Sequence, residues 1–373
     1  MTDENIKKVR ELSSLAPLHN PAAVKGIKAA KAVVPNALQT GAFDTAFHQT
    51  IEEENYLYPV PYEWCEKYQV RKYGAHGTSH KYVSTRMNEI LGRYNTKLIT
   101  CHIGNGASIS AINEGVCVNT SMGLTPNAGL MMGSRCGDMD ATVVTYMMRE
   151  LECTPEEMDT ILNKQSGLLG ISGLSSDSRD IEDGMKIGNP RCTLAQKMFT
   201  NRIIDHIAKY YVELGGCDAI VFTAGIGENS IHTRREVLDG LAVLGIKIDE
   251  EANDCRGIER LITTEDSTIP CYVIPTNEEL MIARDTYMLY QGKQKEKELI
   301  ENCNNSVDLL SKATILANHP FVRNVEDELQ KIKEQEKEEN EKAESEYEKL
   351  LKQRKDTGAG NTIQNGATKV GDK

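Results

Sequence analysis

Residues 97–120 read KLITCHIGNGASISAINEGVCVNT, in which three runs of strand-favouring residues are separated by two turns that contain glycine. This pattern predicts strands at 98–103 and 107–112, joined by a hairpin turn at Gly104, Asn105 and Gly106. A third strand follows the Asn-Glu-Gly turn. The pattern therefore predicts an antiparallel meander of three strands in this part of the chain.

Outside the meander, apolar runs, turns and amphipathic stretches alternate, which is typical of a mixed α/β protein. We predict a helix over 194–214, ended by Gly215, and a strand over 219–223. A turn at Gly225-Ile226-Gly227 and a helix that begins near Asn229 should follow. A strand over 271–274 should then lead into a helix through Tyr290. Thr154 and Glu157 form a capping-box pair with Pro155 between them at the first helical position. They predict a further helix start.

Composition excludes several classes of protein. The 373 residues are enough for two domains with a large core, and the net charge of −12 argues against a general binder of nucleic acid or of anionic membranes. No apolar stretch approaches the length of a bilayer span, and the first residues are charged, which excludes a transmembrane helix and a secretory signal. The 10 cysteines show no metal-ligand spacing, so reduced thiols in a cytoplasmic protein are expected.

The composition changes near Tyr290. Residues 291–373 contain a run dense in Glu and Lys and a Gly/Asn/Thr-rich end, which predict a charged tail that is a solvated helix or partly disordered. Its apolar residues are too sparse for a sustained coiled-coil seam. One alternative function is an interaction protein whose charged tail is the working part, although charge runs are usually solvated surface.

Two glycine turns follow strands and are candidates for phosphate binding. Gly104 to Gly106 lies in a hairpin, and Gly225 to Asn229 lies between a strand and a helix. Glycine lets backbone N–H groups approach a phosphate closely, but each turn alone is more typical of a tight turn that needs positive φ. Neither matches the GxxxxGK[ST] phosphate loop, so a P-loop protein is excluded, and the absence of GxGxxG argues against a dinucleotide fold.

Four polar residues lie in otherwise small or apolar settings. His19 lies between prolines, Asp44 between aromatic residues, His76 among glycines before a helix, and Arg135 in a glycine-rich loop. Each has a structural alternative: hydrogen-bonded core histidines for His19 and His76, an N-cap for Asp44, and a salt-bridge partner for Arg135. Taken singly, these residues leave both interpretations open.

Together, the motifs LAPLHNP, AFDTAFH, YGAHGTSH, HIGNGAS, GLMMGSRCGD, SSDSRD, FTAGIGEN and IPTNEEL resemble those of acetate kinases in their order and approximate spacing. The resemblance implies an actin-like, ribonuclease-H-like α/β fold and the reaction ATP + acetate to ADP + acetyl phosphate. It also implies Mg²⁺ or Mn²⁺ as cofactor, a cytoplasmic protein, and a homodimer for intact members. The alternatives are a propionate or butyrate kinase and a non-catalytic nucleotide-binding fragment.

The resemblance also implies roles for individual residues. The nucleotide-binding residues are His102, Ile103, Gly104, Asn105, Gly106, Asp177, Ser178, Arg179, Gly225, Ile226, Gly227, Glu228 and Asn229. The catalytic residues are Asp44, His76, Arg135 and His19, the metal ligand is Glu278, and the acyl pocket is lined by Leu18, Ala75 and Pro126. An arginine, a histidine and a divalent metal are the groups that in-line phosphoryl transfer needs.

Elementary acid–base chemistry modifies one of these roles. The nucleophile is a carboxylate with a pKa of about 4 to 5, so it is already ionised at neutral pH and needs no general base. We therefore interpret Asp44 as orienting the metal or its waters rather than as a proton acceptor.

The sequence departs from the family in two respects. Ala75 stands where the family normally has an aromatic residue, which predicts a roomier acyl pocket. The family's Gly-Ser-Ser-Ser and His-Arg-Val-Val-His-Gly-Gly segments are absent, and with them a second arginine. We therefore expect a remnant of an N-terminal domain at 1–46, a nucleotide-binding domain at 47–276, a closing helix at 277–290 and a tail at 291–373. We also expect little or no activity from this length of chain alone.

Overall fold

A computed structural model describes residues 1–14 and 20–305 of the chain. Its centre is a six-stranded sheet with the order β3-β2-β1-β4-β6-β5. The strands are β1 Lys97–Ile103, β2 Ala107–Asn113, β3 Val116–Thr120, β4 Ala219–Thr223, β5 Arg260–Leu261 and β6 Cys271–Val273. The predicted meander is confirmed, because β2 pairs antiparallel with both β1 and β3, and Ile103 faces Ala107 across the turn.

Parallel pairing places the later strands beside the meander. β4 pairs parallel with β1, and β6 pairs parallel with β4, while β5 pairs antiparallel with β6. The sheet is therefore mixed, and it confirms the predicted α/β class. The predicted strand at 219–223 is confirmed, and the strand predicted at 271–274 ends one residue earlier, at Val273.

The described residues contain fourteen α-helices. They are α1 Asp3–Glu11, α2 Asn20–Val33, α3 Glu53–Tyr56, α4 Glu63–Tyr68, α5 Gly77–Leu91, α6 Ala141–Glu150, α7 Pro155–Lys164, α8 Gly167–Ser172, α9 Ser178–Lys186, α10 Pro190–Leu214, α11 Ala224–Asn229, α12 Ile231–Gly240, α13 Glu250–Asn253 and α14 Glu278–Asn305. Short 3₁₀ turns occur at Leu12–Ser14, Ala46–His48 and Ala242–Leu244.

Three predicted helix boundaries need correction. α10 begins at Pro190, four residues before the predicted 194, because Asn189 caps it by accepting from the N–H groups of the first turn. The stretch Gly225-Ile226-Gly227 is not a loop turn but part of the short helix α11, which starts directly after β4. α14 continues to Asn305 rather than ending at Tyr290. The predicted stop at Gly215 is confirmed, with φ +65°.

Helices cover both faces of the sheet. Ile99 and Cys101 of β1 are buried in one cluster with Phe199 of α10. Leu98, on the opposite face of the same strand, is buried in a second cluster with Val83 of α5. Because strand side chains alternate between faces, β1 contributes to both cores. The result is a sheet held between α10 and α5.

The chain divides into two compact units, Met1–Thr286 and Tyr287–Lys373. All six strands lie in the first unit. In the described part of the chain, no helix combines the length and the apolar character needed to cross a membrane. The predicted tail from 306 onward lies outside the described residues, and the predicted domain boundaries stay predictions.

The capping box of α7 gives a first stability test. Thr154 Oγ1 accepts from the Glu157 N–H at 3.3 Å, and Glu157 Oε2 accepts from the Thr154 N–H at 2.8 Å, as predicted. Thr154→Ala should lower the free energy of unfolding by about 1 kcal/mol, because the Glu157 N–H in the first turn loses its side-chain acceptor and Glu157 Oε2 loses the Thr154 hydroxyl. Thr160→Ala in the same exposed helix is the control and should change it by less than about 0.5 kcal/mol. Equal losses in urea titrations would contradict the importance of the cap.

Candidate active site

Three connections that carry predicted site residues leave the sheet at one edge, the edge formed by the carboxyl ends of its parallel strands. Since β1, β4 and β6 run parallel, their carboxyl ends lie side by side. The segments that follow them begin at Gly104, Ala224 and Ile274. In open α/β sheets, ligands bind outside the carboxyl ends of the parallel strands. The topology therefore brings together motifs that are more than 100 residues apart in the sequence.

The Glu228 carboxylate holds two of these connections in place. Its Oε1 accepts hydrogen bonds from the N–H groups of Ala224 at 2.8 Å and Thr276 at 3.1 Å, and from the Thr223 hydroxyl at 3.3 Å. Ala224 has φ +65°, which is unusual for a residue with a side chain. The contacts of Glu228 thus fix the backbone after β4 and β6.

A cavity of about 520 Å³ opens beside this edge. It is lined by Asn105, Ser176, Asp177, Ser178, Arg179, Glu182, Gly225, Ile226, Asn229, Ser230 and Arg256. Most of these were predicted as nucleotide-binding residues, and the structure brings them together from three separate stretches. Four were missed. Ser176 and Ser230 adjoin predicted residues, and Glu182 lies one turn further along α9. Arg256 belongs to no motif, and its hydrogen bond to the Asn229 carbonyl at 2.7 Å holds it at the cavity.

Helix α9 presents its N-terminus to this cavity. Asp177 caps the helix by accepting from the Arg179 N–H at 2.9 Å, and the Asp177 carboxylate also pairs with the Arg179 guanidinium at 2.5 Å. The Arg179 side chain is 86% exposed. A helix N-terminus and an exposed arginine both favour an anionic ligand.

Asp44 and His76 are joined at the start of α5. Asp44 Oδ2 accepts from the His76 N–H at 2.7 Å, and Oδ1 accepts from the Thr78 N–H at 3.4 Å. Asp44 therefore caps a helix, but one that lies far from it in sequence. His76 occupies the N-cap position with φ +59°, in the left-handed region. Such a conformation in a non-glycine residue costs about 1 to 3 kcal/mol and is concentrated at functional sites.

Arg135 is held by neutral groups. Its Nη1 donates to the Pro126 carbonyl at 3.1 Å and approaches the Met132 sulfur at 3.7 Å. Among the described residues, no carboxylate forms an ion pair with it, which gives no support to the salt-bridge interpretation. A side chain built on Gly106 would lie 3.2 Å from Arg135 Nη1 and 3.6 Å from His76 Nε2. The guanidinium and the imidazole therefore converge on the Gly106 backbone, where the absence of a side chain leaves room for a ligand.

The two site histidines stack on one another. The rings of His76 and His102 are 4.0 Å apart at an angle of 18°. Burial, reinforced by the Arg135 cation, lowers the pKa of His76 to about 4 despite the opposing Asp44 charge. Burial also holds the pKa of His102 well below its ordinary value. Both shifts favour uncharged imidazoles at neutral pH, and an uncharged His76 can act as a hydrogen-bond donor or acceptor.

The Asp44 and Glu278 carboxylates are close enough to interact electrostatically. Burial raises the pKa of Glu278, and the Asp44 and Glu279 charges add to that effect. In the described part of the chain, neither Asp44 nor Glu278 has a cationic partner within 4 Å, and no group of three or more His, Cys, Asp or Glu could hold a metal. Two uncompensated carboxylates fit Mg²⁺, which is commonly bound through one or two carboxylates together with substrate phosphates.

The remaining predicted residues are placed less centrally. Ile103 is buried in the core, Gly104 donates its N–H to the Gly106 carbonyl at 3.1 Å, and the Gly227 carbonyl accepts from Arg234 at 3.0 Å. Ala75 is buried, and its carbonyl lies 3.0 Å from His48 Nε2. His19 and Leu18 lie outside the described residues.

Comparison with known proteins identifies the fold and the family. The model of the acetokinase family matches residues 1–284. Acetate kinase of Pseudothermotoga lettingae is 51% identical over 302 residues, covering 80% of this chain and 75% of that relative. The crystal structure of Porphyromonas gingivalis acetate kinase has a TM-score of 0.75 at 47% identity, covering 78% of this chain and 73% of that one. A propionate kinase from Francisella tularensis gives a TM-score of 0.72 at 42% identity, covering 76% of this chain and 73% of that one.

These similarities extend over the sheet, the cavity and the convergent His76 and Arg135. They confirm the predicted actin-like α/β fold. The chain belongs to the acetokinase family.

Proposed function

We propose that this protein transfers the γ-phosphoryl group of ATP to acetate, forming acetyl phosphate and ADP. The observation that carries the proposal is the convergence of Arg135 and His76 Nε2 on Gly106, next to a cavity lined by Asn105 and the start of α9. The cavity is of the size that takes a nucleotide. The family and its named relatives support the same reaction.

The site's own residues suit the needs of phosphoryl transfer. The transition state spreads charge over the equatorial oxygens of the phosphoryl group, and catalysis depends on positioning and electrostatic stabilisation. Arg135 would supply a fixed cation, because its guanidinium is already oriented by the Pro126 carbonyl. His76, uncharged and locked at the start of α5, would supply one further hydrogen bond. Gly104 to Gly106 leave backbone space for the phosphates.

Asp44 and Glu278 are the residues that would hold Mg²⁺ or Mn²⁺. When bound, the metal neutralises charge on the phosphates and shields the carboxylates from one another. Asp44 is already engaged by the N–H groups of His76 and Thr78, so its carboxylate has a fixed orientation. These contacts support a positioning role for Asp44 and agree with the absence of any need for a base, since acetate is ionised at neutral pH.

The proposal is tested by incubating the 373-residue chain with MgATP, acetate and hydroxylamine and measuring acetyl hydroxamate. Turnover that depends on acetate and ATP supports it. The expectation from sequence that this chain alone is inactive stays a prediction that the same assay decides. If the chain is silent, a fusion to the N-terminal segment of a matched relative is assayed in parallel. If the fusion folds but forms no acetyl hydroxamate, the proposal is wrong.

Acyl specificity follows from Ala75. This buried residue belongs to the predicted acyl pocket, and a methyl group there leaves more room than an aromatic ring. We expect a smaller preference for acetate over propionate than in aromatic-bearing relatives, because each extra buried methylene contributes about 0.8 kcal/mol, or roughly fourfold. A propionate kinase is therefore the second candidate function.

Ala75→Phe should lower the propionate-to-acetate ratio of kcat/KM by about fourfold, because the ring fills the space for the extra methylene. Ala75→Leu should give an intermediate ratio. Affinity for ATP serves as the control for overpacking and should not change. An unaltered ratio in both variants would show that Ala75 does not border the acyl group.

A homodimer and a cytoplasmic location complete the proposal. Both come from the resemblance to the family. The nine cysteines from Cys65 to Cys271 are unpaired, and burial raises the pKa of Cys117 and of Cys217 to about 12, which disfavours their reactive thiolate forms. Light scattering on the purified chain measures the oligomeric state, and a monomer at micromolar concentration would contradict the dimer.

A further inference from the structure

The face of the sheet that packs on α5 is unusually polar near the site. Side chains of β1 and β2 alternate between faces, and Thr100 and Ser108 lie on the α5 side, where the strands would otherwise present apolar residues. Both are fully buried, as is His80 of α5. Buried polar groups are costly unless they are hydrogen-bonded, so their partners define what they do.

These groups form a continuous chain of hydrogen bonds that ends at the active site. Thr100 Oγ1 lies 2.7 Å from His80 Nδ1, and His80 Nε2 lies 2.7 Å from Ser108 Oγ. Ser108 Oγ lies in turn 2.8 Å from His76 Nδ1. His76 Nε2 is the nitrogen that faces Gly106 and Arg135. The interior is thus connected, through one serine hydroxyl, to the imidazole that we place against the phosphoryl group.

Counting protons restricts this chain to two arrangements. Each hydroxyl carries one proton, and each uncharged imidazole carries one on either of its nitrogens. Ser108 cannot donate to His80 and to His76 at once. If it accepted from both, its own buried proton would have no acceptor, because the described residues offer Ser108 Oγ no other hydrogen-bond partner. The directions of all three hydrogen bonds are therefore linked. Either every bond points from Thr100 toward His76, or every bond points the opposite way. In the first arrangement His76 carries its proton on Nε2, and in the second it carries it on Nδ1.

We propose that Ser108, held in its donating orientation by His80, is a positioning residue that keeps the His76 proton on Nε2. This assignment rests on the proposed function, and it explains how an uncharged histidine donates a hydrogen bond to a phosphoryl oxygen. In the opposite arrangement a nitrogen lone pair would face the anion. Stacking on His102 fixes the plane of the His76 ring, and Ser108 fixes its proton. The tautomer of a catalytic imidazole is set by the hydrogen bond at its other nitrogen.

The test uses the 373-residue chain labelled with ¹⁵N-histidine, with MgADP bound. Nitrogen chemical shifts of the imidazoles report which nitrogen carries the proton, and His76→Gln identifies the His76 signals. We expect Nε2 to be protonated and Nδ1 to accept a hydrogen bond. In Ser108→Ala the Nδ1 signal should move to its value without a hydrogen bond. In the same variant kcat should fall at least about tenfold, with the Kd of ATP within about twofold, because a donor to the transition state is no longer held.

Two further variants separate this role from simple packing. Ser110→Ala removes a second buried hydroxyl from the same strand and face, but Ser110 bonds the Thr120 hydroxyl at 2.9 Å rather than a histidine. It should leave the His76 signals and kcat unaltered. Ser108→Thr keeps the hydroxyl and should retain the signals and most of the activity, and it serves as the working variant if Ser108→Ala does not fold.

Three results would overturn the proposal. They are a His76 proton on Nδ1 in the MgADP complex, unchanged His76 signals and kcat in Ser108→Ala, or equal losses of kcat in Ser108→Ala and Ser110→Ala. The spectra need no turnover, so they decide the proton position even if the chain forms no acetyl phosphate. Absence of turnover by the unaltered chain and by the fusion would instead count against the proposed reaction.

Discussion

Arg135→Lys is expected to reduce acetyl phosphate formation by about 10²- to 10³-fold, the effect of losing one aligned donor to a developing anion. Lysine keeps the positive charge but not the planar fork, so it cannot donate to the Pro126 carbonyl and to the phosphoryl group with the same geometry. The affinity for ATP should stay within about threefold, because Arg135 does not line the cavity in which we propose that the nucleotide binds.

Arg86→Lys provides the control for a generic change of arginine to lysine. Arg86 lies on α5 and pairs with Glu259 at 2.7 Å on the surface. This substitution should leave turnover unaltered, since exposed ion pairs contribute only about 0 to 1 kcal/mol. Both variants are compared in whichever form of the protein, the chain or the fusion, forms acetyl phosphate. Near-normal turnover in Arg135→Lys would make Arg135 a structural residue.

Local signals in the sequence were enough to predict local structure. The meander is encoded by its own turns, and its antiparallel pairs join neighbours in the chain. The capping box at Thr154 and the stop at Gly215 are equally local. The start of α10 was placed too late because the prediction relied on apolar spacing and overlooked Asn189-Pro190, a cap followed by a first-turn proline.

The arrangement of the site needed information that is not local. The parallel pairing of β1 with β4 joins residues about 120 positions apart, and no local pattern specifies it. Motif resemblance nevertheless identified His76, Arg135 and most of the cavity. It did not reveal that Asp44 caps α5 or that Ser108 contacts His76, because both contacts arise only when the sheet packs on the helix.

Charged residues illustrate the same limit most clearly. The stretch His232-Thr233-Arg234-Arg235 contains two adjacent arginines that no sequence pattern distinguishes. In the structure Arg234 is fully buried, whereas Arg235 is exposed and pairs with Glu250. Helix α12 turns one arginine inward and the next outward, so their contributions to stability should differ greatly.

Arg234 connects helix α11 to the rest of the domain. Its Nη1 donates to the Gly227 carbonyl at 3.0 Å, and its Nε donates to Asn253 Oδ1 at 2.8 Å. Its Nη2 donates to the carbonyls of Asn253 at 2.7 Å and Cys255 at 2.9 Å. All of these acceptors are uncharged. The guanidinium thus replaces water for several buried carbonyl groups and fixes α11 against the loop after α13.

Arg234→Met should therefore lower the free energy of unfolding by about 3 to 5 kcal/mol, because methionine fills much of the volume but leaves those acceptors buried without donors. Arg235→Met, its immediate neighbour, should cost no more than about 1 kcal/mol, since it breaks only an exposed ion pair. Urea titrations of both variants measure the difference in the free energy of unfolding. An equal dependence of that free energy on urea concentration would show that the same cooperative unit unfolds. ATP affinity should fall in Arg234→Met alone, because the Gly227 carbonyl loses its anchor. If the two variants were equally stable, the hydrogen bonds of Arg234 would contribute nothing beyond the packing of its side chain.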